Sequence, residues 1–139
     1  MDRIIGIDYG DKRIGVSISD ALGVTAQALE TINWDGKIFA QPILRIKEIV
    51  NNYNVNTIVL GFPKNMNGSI GPRGELTFEF KKLLEKELSN ITVILWDERL
   101  SSVSAKRVMS ELKIKKKKKK KIIDQIAAVY ILQNYLDSI

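Results

Sequence analysis

Two hydrophobic periods divide the chain. Residues 3–8 (RIIGID) and 13–20 (RIGVSISD) are short apolar runs joined through Tyr9-Gly10-Asp11, a β-hairpin pattern. Residues 24–32 (VTAQALETI) are largely alternating and β-prone, and predict a third antiparallel strand closed by the turn residues Asn33, Trp34, Asp35 and Gly36. The period then changes. Ile43, Ile46, Val50 and Tyr53 are spaced as on one face of a helix, with Pro42 in its first turn. Residues 57–63 (TIVLGFP) read as a buried strand stopped by Gly61 and Pro63. A polar loop (KNMNGSIGP) leads into a second helix through Leu76, Phe80, Leu83, Leu84 and Leu88. Residues 91–98 (ITVILWDE) predict another buried strand, 101–112 a short helix capped by Ser101 or Ser102, and 122–139 a helix apolar on most faces.

The order β-β-β-α-β-α-β-α-α implies an α/β fold: a mixed sheet whose first three strands are antiparallel, with helices on both faces. With 139 residues and no linker, the chain reads as a single domain, 1–139. In such sheets, sites form at the carboxyl ends of strands. Asp8 stands there on the first strand, and Asp97 and Glu98 on the last.

Composition narrows the chemistry. The chain has no cysteine and no histidine. Thiolate nucleophiles, imidazole bases and zinc sites built on those ligands are excluded. The remaining tools are carboxylates, hydroxyls, Lys, Arg and a hard metal held through oxygen. No apolar run reaches the roughly 20 residues of a membrane span, and no signal peptide is evident. A cytoplasmic protein with no membrane partner is the expectation.

The net charge of +6 is concentrated. Lys115, Lys116, Lys117, Lys118, Lys119, Lys120 and Lys121 are consecutive, and without their seven charges the rest of the chain stands at −1. Such a run predicts a solvated, flexible loop at about 113–122, and offers nonspecific affinity for phosphates.

Each acid has an ordinary alternative. Asp8 can accept hydrogen bonds from its own turn, Asp97 and Glu98 can open a loop beside Arg99, and Asp124 suits a helix's first turn. Adjacent strand residues face opposite ways, so at most one of Asp97 and Glu98 enters a common site. Taken together, the acids suit Mg²⁺ or Mn²⁺, two of which can hold a phosphodiester and activate water without a side-chain base. A nucleophilic serine (Ser101, Ser102 or Ser104) beside Lys106 is explained more simply by helix capping.

The blocks GIDYGDKRIGVSISD, GFPKNMNGSIG, WDERLSS and DQIAAVYIL resemble, in order and spacing, the four motifs of the YqgF/RuvX family. The resemblance covers nearly the whole chain. It implies an RNase H-like fold with strand order 3-2-1-4-5, related to RuvC-type resolvases. It further implies a metal-dependent nuclease of the ribosome-biogenesis type, processing the 5′ end of the 16S rRNA precursor. Two other readings stay open: a Holliday junction resolvase acting on branched DNA, and a non-catalytic RNA-binding protein. The family's acidic positions fall on Asp8, Glu98 and Asp124, which would be both catalytic and metal-binding. Its basic residues beside the site fall on Lys12 and Arg13, and its loop after the fourth strand on Asn65, Gly68 and Ser69; Arg99 and the lysine run, nearly pure lysine where the family's mobile basic loop mixes Lys and Arg, would help to position the backbone. Two ions, Mg²⁺ or Mn²⁺, are expected, in a site that is either looser than a resolvase's or assembled only on substrate.

The fourth strand here ends Gly61-Phe62-Pro63, without the acid that RuvC-type resolvases carry there. The fifth strand then stands two spacings, roughly 9–10 Å, from the first, a gap that a glutamate spans better than an aspartate. A related ATPase hairpin is also similar, but needs a second domain that 139 residues do not hold. Cutting a junction symmetrically requires a dimer and trimming an RNA end does not, so monomer and weak homodimer both stay open.

Overall fold

The computed structural model describes residues 2–63, 68, 70–97 and 116–139, with side chains excepted for 116–124. Its strands are β1 (Arg3–Asp8), β2 (Arg13–Ser19), β3 (Ala26–Asn33), β4 (Val55–Phe62) and β5 (Thr92–Asp97). Its helices are α1 (Ala40–Tyr53), α2 (Pro72–Glu87) and α3 (Lys116–Ser138). The strands form one sheet in the order β3-β2-β1-β4-β5. β1, β2 and β3 pair antiparallel, and β4 and β5 join parallel. The RNase H-like topology expected from the resemblance is present. The expected helix at 101–112 lies outside the described residues.

Strand alternation sorts the side chains onto two faces. Ile5, Ile7, Ile14, Val16, Ile58 and Leu60 point to the face covered by α1 and α2, where they meet Ile43, Ile46, Ile49, Phe80 and Leu84. Val59, Ile4 and Trp96 point to the opposite face, against Ile131, Leu132 and Leu136 of α3. On that second face β1 and β2 carry only small residues at the centre: Gly6, Gly15, Ser17 and Ser19. A helix can lie close against such a floor.

Two expectations are corrected. The buried positions of α2 are Gly74, Thr77, Phe80 and Leu84, while Leu76 is exposed. Apolar spacing overlooked the glycine and the threonine. Gly74 is where α2 approaches the end of β4, since a Cβ there would lie 3.0 Å from the Pro63 carbonyl. The second correction concerns the basic loop: from Lys116 onward its backbone is the opening of α3. Lysine is a good helix former, and like charges one turn apart cost only about 0.2–0.5 kcal/mol per pair. A helix anchored at its other end tolerates that.

Candidate active site

Asp8 closes β1, half-buried, on the parity of Ile4 and Gly6 and hence on the α3 face. Its partner across β2 is Gly15. On β4 the register Ile7↔Leu60 brings Gly61 level with Asp8. A glycine on each neighbouring strand leaves the level of Asp8 free of other strand side chains on this face.

The placement of α3 brings a second acid's backbone to the same end. A Cβ on Gly6 would meet Ser17 Oγ at 2.5 Å, Leu132 Cβ at 2.8 Å and the Ala128 carbonyl at 2.9 Å, so only glycine fits beneath the helix. Ser17 Oγ donates to the Ala128 carbonyl at 2.7 Å. Farther along, the Gln133 side chain accepts from the Ala26 amide at 2.9 Å and donates to the Val24 carbonyl at 3.0 Å. Val24 and Ala26 lie at the sheet end opposite Asp8, so α3 runs antiparallel to β1. Residue 124 is one helical turn, about 6 Å, before Ala128, and Asp8 is two strand steps, about 6.5 Å, beyond Gly6. Both displacements have the same direction. The clamp between Gly6, Ser17 and Ala128 thus carries Asp124 toward the end of β1.

The turn after Asp8 is held by its carbonyls. Trp34 Nε1 donates to the Gly10 carbonyl at 2.8 Å, and the Trp34 amide to the Lys12 carbonyl at 3.1 Å. Arg73 Nη2 donates to the Tyr9 carbonyl at 3.3 Å. Tyr9 is buried among Trp34, Phe39 and Phe80. Burial raises its phenol pKa above the ordinary 10.0, Asp11's charge adds to the rise, and Arg73 opposes it. Lys12 is exposed, and Arg13 is half-buried where β2 begins. Sequence reading passed over Trp34 and Arg73. A signal existed for Arg73: a cation in a helix's first turn stands against the dipole.

Asp97, the last residue of β5, follows the parity of Val93 and Leu95 toward the α1–α2 face, away from the Asp8 face. Glu98, Arg99, Asn65, Ser69 and Lys115 lie outside the described residues. The other six lysines lie in the opening turns of α3. Among the described residues no three acidic side chains gather as a metal site. The acidic side chain described at the end of β1 is Asp8, whose carboxylate is an oxygen donor of the kind hard cations take. The chain offers oxygen donors there, and no imidazole or thiolate exists to compete.

A family model described as "RuvX: Holliday junction resolvase" matches residues 2–138. The chain belongs to the RuvX family. Relatives named "Putative pre-16S rRNA nuclease" include one from Acetivibrio thermocellus, 60% identical over 136 residues covering 98% of this chain and 96% of that one. Another, from Bacillus subtilis, is 47% identical over 137 residues and covers 99% of both chains. Among solved structures, T. thermophilus RuvC in complex with Holliday junction substrate superposes with a TM-score of 0.63. It is 12% identical, with 99% of this chain and 95% of that one covered. The Fowlpox virus resolvase with Holliday junction DNA gives 0.56 at 16% identity, covering 98% and 97%. At such identities these likenesses establish the fold that the RuvX chain shares with the resolvases.

Proposed function

We propose that this RuvX-family chain is a hydrolase of nucleic-acid phosphodiesters, acting on the 5′ end of precursor 16S rRNA in the cytoplasm. The observation that supports the reading is the antiparallel clamp of α3 on β1 and β2, which brings the helix backbone at residue 124 toward the sheet's carboxyl end. No helix among the described residues is long and apolar enough to cross a membrane.

Asp8, Glu98 and Asp124 are the assigned catalytic acids and would hold Mg²⁺ or Mn²⁺. When bound, such ions neutralise phosphate charge and lower the pKa of water at neutral pH. Asp8 contributes from a strand end, where geometry is reproducible. Gly15 and Gly61 stand level with it on the neighbouring strands and add no side chain there. Asp97 faces the other side, which favours its neighbour in sequence, Glu98, as the second acid. Lys12, Arg13, Arg99 and the lysines opening α3 bind backbone phosphates, and Asn65 and Ser69, which follow β4 in sequence, contact the substrate.

The test uses purified protein with Mn²⁺ or Mg²⁺ and two substrates: a 16S rRNA precursor and a four-way DNA junction. Cleavage of the RNA with the junction left intact supports the reading. Cleavage of the junction alone moves the chain to resolvase, the activity in the family model's description. Binding without cleavage of either makes it a binding protein on a nuclease fold.

A further inference from the structure

The glycines beside Asp8 clear its immediate neighbours, and the next side chain in the same row is Thr31. Asp8 pairs with Gly15 of β2, and Gly15 pairs with Thr31 of β3. Directly paired residues share a face of the sheet, so Thr31 points to the α3 face. It stands two strand spacings, roughly 9–10 Å, from Asp8. Its neighbours agree: Ile32 is buried in the α1–α2 core, and Glu30 is held by Arg45 of α1 at 2.6 Å. A bulge decides this placement. The register steps from Val16↔Glu30 to Ser17↔Ala28, so Leu29 is an extra residue in β3. A regular strand would set Glu30 opposite Gly15, and the bulge sets Thr31 there instead. Bulges often re-aim side chains beside active sites.

The Thr31 hydroxyl oxygen is closed off from solvent and makes no hydrogen bond among the described residues. Ser17, Ser19 and Thr77 are buried as well, and each has a partner. Ser17 Oγ donates to the Ala128 carbonyl, Ser19 Oγ accepts from the Ile4 amide, and Thr77 Oγ1 donates to the Arg73 carbonyl. A buried hydroxyl left unpaired carries its full desolvation penalty, which a valine of the same shape would avoid. The helix α3 lies over this row. Ala128, bonded to Ser17, is one helical turn, about 6 Å, beyond residue 124. Gly15 is two strand steps, about 6.5 Å, before Ser17, and α3 runs in the direction of β2. The backbone of residue 124 is therefore level with the row of Asp8, Gly15 and Thr31.

We propose that Thr31 is a positioning residue of the metal site: its hydroxyl donates to the Asp124 carboxylate when that acid and Asp8 hold a divalent cation. The inference rests on the nuclease reading, which supplies the two acids, and adds to it a residue from the edge strand β3. Carboxylates that ligate metals are themselves hydrogen-bonded, and those outer partners orient them. The bulge keeps the Glu30 carboxylate off this face, where it would compete for the cation, and presents a donor instead.

The experiment measures Mn²⁺ binding to the full chain by loss of the free-ion EPR signal, with a short 5′-phosphorylated RNA present at saturation. Asp8→Asn identifies the ion that belongs to the site. Thr31→Val keeps the branched shape and loses the hydroxyl, whereas Thr31→Ser keeps the hydroxyl. The valine variant should bind that ion about 10–100-fold more weakly, the range for outer partners of metal ligands. Serine should restore most of the affinity. Urea midpoints separate this from a structural role: with no bond to lose, Thr31→Val should be at least as stable as the wild type. Wild-type Mn²⁺ affinity in Thr31→Val would overturn the assignment, and undiminished RNA cleavage beside it would leave the nuclease reading standing. A fall in affinity matched by a lower urea midpoint, or no Asp8-dependent ion in the wild type, would overturn it too. Weakened binding in Thr31→Val, in a protein that cleaves neither substrate, would support the positioning role and remove the nuclease reading.

Discussion

Ser17 Oγ donates to the backbone carbonyl of Ala128 across a sequence separation of 111 residues, at 2.7 Å and fully buried. This bond and the missing Cβ of Gly6 beneath the same turn fix the height and direction of α3 over the sheet. If Asp8 and Asp124 are the catalytic acids proposed above, their geometry depends on that seat.

Gly6→Ala should therefore injure both stability and activity. Its methyl group would collide with the Ala128 carbonyl and Leu132 Cβ, neither the end of a flexible side chain. Overpacking of this kind costs about 1–3 kcal/mol, measured as a lower urea midpoint. Ser17→Ala removes one buried hydrogen bond and should cost about 1 kcal/mol. In both variants cleavage should fall under conditions where the protein remains folded.

Acid should loosen two turns. Asp20 accepts from the Val24 amide at 2.8 Å and Thr25 at 3.4 Å. Asp35 accepts from Lys37 at 2.8 Å and Ile38 at 3.1 Å. These backbone donors, Val24 first for Asp20 and Lys37 first for Asp35, hold both carboxyls below the ordinary 3.8. Folded values below unfolded ones mean stability that is complete above 3.8 and lost as pH falls through the depressed folded values. Unfolding by urea from about pH 6 down to pH 2 should show this slope. It should be shallower in the Asp20→Asn/Asp35→Asn double variant.

Tyr9 works at the other extreme. Its burial raises the phenol above 10.0, so the unfolded chain ionises first. The folded state then loses stability as pH rises beyond 10.0. Tyr9→Phe should remove this alkaline loss, seen by comparing urea midpoints on either side of that pH.

The lysine run makes a quantitative claim on binding. If all seven meet phosphates of a duplex, replacing them with serine should flatten the log–log salt dependence of affinity by about 6. A change near 2 would mean that most of them stay in solvent.

Much of the fold was legible because strand and helix periods are written in apolar side chains. Ile14, Val16 and Ile18 alternate with Gly15, Ser17 and Ser19, and that alone gives β2 a core face and a small-residue face. What escaped is carried by residues without such a signature. Gly74 and Thr77 form the seat of α2 where Leu76 was expected, and six lysines read as a loop open α3. Asp8 was legible as a strand-end acid, but its position between Gly15 and Gly61 needed the strand register. The Trp34 and Arg73 bonds to the turn depend on distant segments meeting, which no local pattern encodes.

Metal-dependent cleavage of precursor 16S rRNA by wild-type protein and by an identically prepared Asp8→Asn variant tests the central claim most directly. The account predicts cleavage by the wild type with Mn²⁺ or Mg²⁺. It predicts a loss of at least about a hundredfold in the variant, by comparison with the cost of disturbing metal-site residues, with little change in melting temperature. Equal cleavage by the two proteins would contradict it.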